Sequence, residues 1–540
     1  MNESQNFQNG ASQWNGQNAW QSPPPPPKRE TLSAGRREVI FAALLIIFSV
    51  FTTNSLLCAG PYIGFAFGLC GILLLSFVYM VGKGTKPSVY GFFCTCASFV
   101  LAASVLWNNN GILTLGFLLL ALFGWFLGLS ICMRANVYPA GGFSSLHDAI
   151  RVGFFLTYPK MGAAARGLFR RENHKKSKAA KGILGGCLLA VPVVLFFLLP
   201  LLRQSDAAFD GLLEQTFSIF TNWRTLIWSL LLGGMLFFPL YTRAVYLRQR
   251  ENTDRPAPEF PGSFTTPVLG GFLGAIALVY LLYLVSQLAY FFNAFSGLLP
   301  ENFTTAEYAR RGFFEMAAIC AINLLIVAVS MSNIRKKDGR VPGMIRGLCL
   351  YFCVFSLILV VSAFSKMSLY VASFGLTYLR VMTSLFMCCL AVAFVAVGVW
   401  IFCPKFPYMK CIAVFTLTVA CLTAWVNVDA MVARYNVTAF ETGKLETVDM
   451  ETLAELNCGA VPYLLRLSEN PDADVASRAE ELLADWTRWY YYVRETDGNI
   501  SLEAKESDLR SWTFQSARAK KLLTQWVETH TDALSFTYRR

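Results

Sequence analysis

Eleven apolar runs, each long enough to cross a bilayer, dominate this chain and leave it few alternatives to a membrane-spanning bundle. About 20 apolar residues cross the hydrocarbon core as a helix. The runs lack the alternation of barrel strands, so helices that satisfy their own backbone are expected. They cover residues 39–59, 62–81, 89–107, 112–131, 183–202, 226–242, 268–290, 314–331, 348–364, 381–402 and 411–427. Burying them all in a water-soluble core would need an implausibly large apolar interior. The composition, 55% hydrophobic and 15% charged, agrees with a bilayer instead.

The loops between the runs alternate in charge, and this sets an expected orientation. Of the 46 Lys and Arg, 27 fall in the N-terminal arm and in every second loop: Lys28, Arg29, Arg36 and Arg37, Lys83 and Lys86, the stretch from Arg134 to Lys181, the loops around Arg243 to Arg255 and Arg335 to Arg346, and Lys405 and Lys410. The intervening loops hold only Arg203, Arg224, Arg310, Arg311, Lys366 and Arg380. Cytoplasmic loops retain Lys and Arg, so the N-terminus is expected in the cytoplasm. An odd number of spans then puts the tail outside. The net charge of +12 is mostly this topological bias. Its basic residues flank spans and do not interleave with base-stacking aromatics, which argues for lipid headgroups and against nucleic acid as counter-charge.

Five regions follow. Residues 1–38, rich in Gln, Asn and Ser and ending near Pro23 to Pro27, read as a disordered cytoplasmic arm. Residues 39–132 hold the first four spans. Residues 133–182 form a basic cytoplasmic loop, where Phe143, Leu146, Ile150 and Phe154 recur at the spacing of an interfacial helix. Residues 183–427 hold seven more spans. Residues 428–540 are an acidic, helical tail with two apolar stripes: Val475, Ala479, Leu482, Leu483, Trp486, Trp489 and Tyr490, then Trp512, Ala519, Leu522, Leu523 and Trp526. Stripes at this spacing build a small helical core. The run Tyr490, Tyr491, Tyr492 exceeds what one stripe needs and points to a membrane interface. The fold class is therefore all-α, a polytopic membrane protein with a small helical domain at its C-terminal end.

Catalytic chemistry is thin. The three histidines, His147, His174 and His530, lie outside the spans, so none can serve as an intramembrane base. Fourteen of the 15 cysteines sit in or beside spans as small apolar side chains, and no pair has zinc-site spacing. No phosphate-binding GxxxxGK[ST] loop occurs. No metal or cofactor is expected, and the chain reads as non-enzymatic. Ion-coupled carriers keep ionisable groups near the membrane midplane. The spans as read contain almost none; Gln287 and Asn323 are the best buried polar candidates, first as interhelical hydrogen bonds.

Charges gather on the expected outer rim against the topological trend. They are Asp206 and Asp210; Glu307, Tyr308, Arg310, Arg311 and Glu315; Lys366, Tyr370, Tyr378 and Arg380; and Asp429, Arg434, Tyr435 and Asn436. One reading is a belt of ion pairs and hydrogen bonds that seats the helix ends and the tail. The sharper reading is an anion or lipid contact through Arg310, Arg311, Lys366, Arg380 and Arg434, with Asp206, Glu307, Glu315 and Asp429 as rim carboxylates. No catalytic residue is assigned.

The same residues carry a resemblance. The stretches LLRQSDAAF (201–209), TAEYARRGFFE (305–315), KMSLYVASFGLTYLR (366–380) and NVDAMVARYN (427–436) resemble a bacterial multipass family named domain of unknown function 4173. The similarity runs from about residue 183 through the tail, and the stretch Asn457-Cys-Gly-Ala-Val-Pro462 departs from the acidic pattern expected before Ala-Val-Pro. The resemblance implies a bacterial plasma-membrane protein and supplies no substrate. The expected function is an envelope module that presents its rim and tail to a partner: a lipid, an anionic headgroup, an envelope precursor or a protein. The alternatives are a transporter or lipid-handling carrier, and a membrane transferase acting at the rim.

Overall fold

The computed structural model describes residues 32, 34–81, 88–107, 111–133, 150–151, 155, 157–169, 223–249, 264–296, 313–335, 340–496, 499–504 and 513–530. Among the described residues, ten helices are long and apolar enough to cross a membrane. They are α1 (Arg36–Ala59), α2 (Ile63–Val81), α3 (Val89–Ala103) and α4 (Gly111–Cys132). After a short α5 (Met161–Phe169) come α6 (Trp223–Gln249), α7 (Thr266–Ser296), α8 (Phe313–Asn333), α9 (Gly343–Phe374), α10 (Tyr378–Phe402) and α11 (Tyr408–Trp425). The expected span at 183–202 lies outside the described residues, as do Phe143, Leu146, Phe154 and the arm up to residue 31.

The spans pack as two groups. Phe41, Leu45, Ile72, Trp125, Leu240 and Tyr241 join α1, α2, α4 and α6 in one core. Leu273, Val327, Phe352, Phe355 and Phe394 join α7 to α10 in another. Helices α3, α4 and α11 meet around Cys94, Leu101, Ala121, Leu417 and Ala424. Small residues let the backbones approach, because lipid supplies no hydrophobic force between helices. At Gly233 a side chain would collide with Val50, and one turn away Thr53 donates to the Ser229 carbonyl at 2.9 Å. The opposite flanks stay apolar and open, as at Val279, Leu282 and Val285, the composition that lipid requires.

Contacts at the helix ends fix two faces. Tyr79 near the end of α2 donates to Glu38 at the start of α1 (3.2 Å), and Arg248 near the end of α6 lies over the Tyr79 ring at 4.6 Å. Lys410 at the start of α11 lies over Tyr90 at the start of α3. On the other face Trp107, just past α3, stacks with Trp425 at the end of α11. The start of α1 and the chain after α11 are therefore on opposite faces of the bundle. The ends of α4 and α6 share the first face, so the chain changes face between Met133 and Arg224.

Two spans run longer than hydropathy indicates. Helix α9 has 32 residues, about 48 Å at 1.5 Å per residue and well beyond a hydrocarbon core of about 30 Å. Lys366 and Tyr370, expected in a loop, are thus on one flank of a helix, four residues apart. Helix α6, expected to stop at Thr242, continues to Gln249 and carries Arg243 inside the bundle.

The tail packs as α12 (Val428–Glu441), α13 (Met450–Glu455), α14 (Val461–Ser468), α15 (Ala473–Tyr490) and α16 (Phe514–Thr529). Between the last two, β1 (Tyr491–Thr496) pairs antiparallel with β2 (Asn499–Ala504), a hairpin in an otherwise helical chain. Ala479, Leu483, Ala519, Leu523 and Trp526 are buried in the tail core, which extends to Leu376, Tyr378 and Met382 of the bundle. Trp489 departs from its stripe and is 74% exposed. Trp512 lies outside the described residues.

Candidate functional site

The face that carries the tail is organised around the turn between α9 and α10. Gly375 there has φ of +74°, and a Cβ would stand 2.6 Å from Asn436 Oδ1. Both conditions demand glycine. Asn436, buried on α12, grips the next residue twice: its Oδ1 accepts from the Leu376 amide and its Nδ2 donates to the Leu376 carbonyl, both at 2.7 Å. This clamp ties the first helix of the tail to the end of the bundle. Thr377 caps α10 by accepting from the Arg380 amide at 3.3 Å.

Arg380 is committed to the same turn. Its Nη1 donates to the Phe374 carbonyl at 3.0 Å and to the Gly375 carbonyl, and its guanidinium lies 4.2 Å from the Tyr370 ring centre. A cation at the carbonyl end of α9 is favoured by the exposed carbonyls and the helix dipole. Lys366 is half-buried on the α9 flank that carries Tyr370, and Arg434 is exposed on α12. Asp429 is buried, and its Oδ2 accepts from Asn457 Nδ2 at 3.1 Å. Glu315 belongs to the first turn of α8, with its side chain outside the described residues. Asp206, Asp210, Glu307, Tyr308, Arg310, Arg311 and Gln287 also lie outside what is described in side-chain detail.

The stretch that departs from the acidic sequence pattern, residues 457–462, thus includes the residue that meets Asp429. An acid at 457 would set two carboxylates against each other, whereas an amide donates. The neighbouring Gly459 lies so close to Asn427 that a Cβ would come within 2.5 Å of Oδ1. Asn427 in turn caps α12, accepting from the Ala430 amide at 2.9 Å.

A cavity of about 100 Å³ opens beside this cap, where the tail meets the bundle. Its walls include the rings of Trp107, Tyr463 and Phe514, with Asn427, Gln515 and Arg518 as polar groups. Trp107 and Phe514 stand 5.6 Å apart between ring centres, and the Trp107 indole N–H has no acceptor. No Asp or Glu is among the residues that line it. Behind the cavity, Cys458 Sγ lies 2.8 Å from Tyr490 Oη. Burial, reinforced by Cys458, pushes the Tyr490 phenol above its ordinary range. Tyr491 pairs with Thr524 at 2.6 Å, so two of the three consecutive tyrosines serve the tail itself, and Tyr492 is exposed. Sequence reasoning did not find this cavity: its walls come from residues 107, 427–463 and 514–522, whose meeting no local pattern announces.

Within the spans, buried Asn323 accepts from Tyr280 Oη at 2.8 Å and donates to Ser356 Oγ at 2.9 Å, joining α7, α8 and α9. The nearby space, about 10 Å³ and lined by Met316, Cys320 and Leu359 among others, is apolar and smaller than one water requires. Arg243 is a second buried polar group within the spans and was assigned to a loop by sequence. It is 1% exposed on α6, with Nη2 donating to the Phe126 carbonyl at 2.7 Å and to Ser130 Oγ at 2.9 Å on α4.

A family model described as a domain of unknown function (DUF4153) matches residues 69–467. That is most of the chain, which therefore belongs to this uncharacterised family. The match does not support the number 4173 expected from the motifs. It begins within α2, far before residue 183, and ends in α14, leaving α15, the hairpin and α16 outside. No curated protein and no solved structure matches the chain.

Proposed function

We propose that this chain is a non-enzymatic binding module of the bacterial plasma membrane, with its N-terminus in the cytoplasm and its tail outside. The cavity between Trp107 and the tail would hold the sugar-bearing part of an envelope precursor or polymer. The cavity is the observation that carries the reading. Aromatic rings offer flat apolar faces to the C–H side of a sugar ring, while Asn427, Gln515 and Arg518 can bond its hydroxyl groups. Its volume of about 100 Å³ is below the roughly 150 Å³ of an engineered cavity that takes benzene, so it would admit one edge of a sugar ring, with the rest of the ring lying in the open mouth.

The orientation rests on charge. Arg36, Arg37, Arg248, Arg335, Arg346, Lys405 and Lys410 share the face of Glu38, whereas the opposite end of the spans carries Arg224, Lys366 and Arg380. A transferase is disfavoured because Asp429 is buried against Asn457 and no carboxylate is among the residues that line the cavity. A carrier is disfavoured because both ends of the Asn323 amide are occupied and the adjoining space is apolar.

The test is mass spectrometry of ligands copurified with the wild type and with Phe514→Ala and Arg518→Ala. A saccharide-containing species retained by the wild type and depleted in both variants is expected. Equal retention by all three, or no saccharide on the wild type, would refute the reading.

A further inference from the structure

The feature least explained by packing is Arg243. A guanidinium has five N–H donors. The two contacts of Nη2, to the Phe126 carbonyl and Ser130 Oγ, leave Nε and Nη1 without any acceptor although both are buried. The faces of Phe126 and Trp125, with ring centres 4.1 and 5.9 Å from the guanidinium carbon, flank the cation. Trp125 is itself 1% exposed, and its indole N–H likewise lacks an acceptor. No described carboxylate pairs with Arg243. Ring faces and two neutral oxygens do not replace a counter-ion: a charge taken from water needs an opposite charge or a fully satisfied shell.

The setting indicates which anion. Arg243 is six residues before the end of α6, about 9 Å along its axis. It is near the end of its span on the face opposite the tail, the side of the bundle where one leaflet's phosphates would lie. The surroundings add positive charge. Arg248 lies five residues further on the same helix, over the Tyr79 ring that also meets Glu38, and Lys160 and Arg166 belong to the short segment through α5 that packs on α6. Every unpartnered group on Arg243 and Trp125 is a donor. That set suits an acceptor-only, negatively charged group and would repel a cation.

We propose that Arg243, with the Trp125 N–H beside it, anchors a phosphate group inside this end of the bundle. The group is supplied by the headgroup of an anionic phospholipid or by free phosphate. This site lies apart from the tail cavity and would stand if that reading failed.

The experiment uses the full chain, delipidated in a phosphate-free maltoside detergent, with phosphatidylglycerol or inorganic phosphate added separately. Unfolding temperature and native mass spectrometry are the readouts. The wild type should unfold several degrees higher with one of the two probes and, if the lipid is the source, retain one phosphatidylglycerol after the others are stripped. Arg243→Met should lose that gain, Trp125→Phe should weaken binding several-fold, and Arg346→Met should behave as wild type. A gain with phosphatidylglycerol alone identifies a lipid site, and a gain with phosphate alone identifies a free-anion site. If neither probe shifts the wild type, the proposal is wrong whatever the variants do. An undiminished gain in Arg243→Met would also overturn it. Should Arg243→Met not fold, Trp125→Phe carries the test, and wild-type retention by that variant overturns the assignment.

Discussion

Replacing Asn436 by Ala removes one side chain and breaks two hydrogen bonds at once. The Leu376 N–H loses the Oδ1 that it reaches at 2.7 Å, and the Leu376 carbonyl loses Nδ2 at the same distance. Asn436 is 3% exposed, so water does not replace it freely. Leaving a buried donor or acceptor unmet costs about 1–3 kcal/mol each. Some relaxation into the vacated space is expected, which brings the sum to roughly 2–4 kcal/mol. The loss is local, because the clamp joins the tail to the α9–α10 turn and the span cores do not contain it. Global melting is therefore a poor readout for a chain with several cores. Hydrogen exchange at residues 375–378 and along α12 reports the opening directly. At 1.4 kcal/mol per tenfold, exchange should accelerate roughly 30-fold to several hundred-fold there, with the α7–α9 amides unchanged. Asn436→Asp keeps the acceptor and loses the donor, so it should fall between wild type and Ala or below Ala through repulsion at the carbonyl. An Asn436→Ala protein whose exchange at this turn stays within twofold of wild type would refute the clamp.

Three further substitutions test neighbouring parts of the account. Gly375→Ala combines a positive φ with a Cβ 2.6 Å from Asn436 Oδ1, and should cost roughly 1–3 kcal/mol by thermal unfolding of the tail; a neutral effect would contradict the turn geometry. Asn457→Asp sets a second carboxylate against buried Asp429 and raises the folded-state pKa of the pair above the unfolded carboxylate value of about 3.9. The folded state then binds more protons than the unfolded one, so the variant's deficit should be full near pH 7 and shrink as pH falls toward 4. A deficit that ignores pH, followed by unfolding curves, would argue against the contact. Asn323→Leu strips Tyr280 and Ser356 of their shared partner and should cost about 1 kcal/mol without altering copurified ligand; a changed ligand profile would revive the carrier reading.

The spans were legible because hydropathy and length are local properties that a bilayer reads directly. The ends were less so. Hydropathy stopped α6 at Thr242 because Arg243 follows, yet a guanidinium can enter a bundle when a neighbouring helix offers a carbonyl and ring faces. The rim charges were visible as exceptions, but not their partners. Arg380 answers carbonyls five and six residues before it, and a residue list by charge contains no carbonyls. Asp429 answers an amide 28 residues away, within the stretch that departs from the expected pattern. The Asn436 clamp spans 60 residues and the Trp107–Phe514 contact more than 400. Such pairs are chosen by tertiary closure, which one sequence does not encode in any window. The hairpin was missed because the tail was read as helical throughout and the run Tyr490 to Tyr492 as a membrane-interface contact, although β-propensity favours aromatic residues in a strand.

The central claim is that the tail and the bundle enclose a cavity that binds a sugar-bearing envelope ligand. It is tested most directly by electron cryomicroscopy of the full chain in nanodiscs formed from its own cells' membrane extract. The account predicts the tail seated on the bundle, with ring-shaped density between Trp107, Tyr463 and Phe514 that contacts Asn427 or Arg518 and is absent from the Phe514→Ala protein. A tail detached from Trp107, or a cavity holding only water in the wild type, would contradict it.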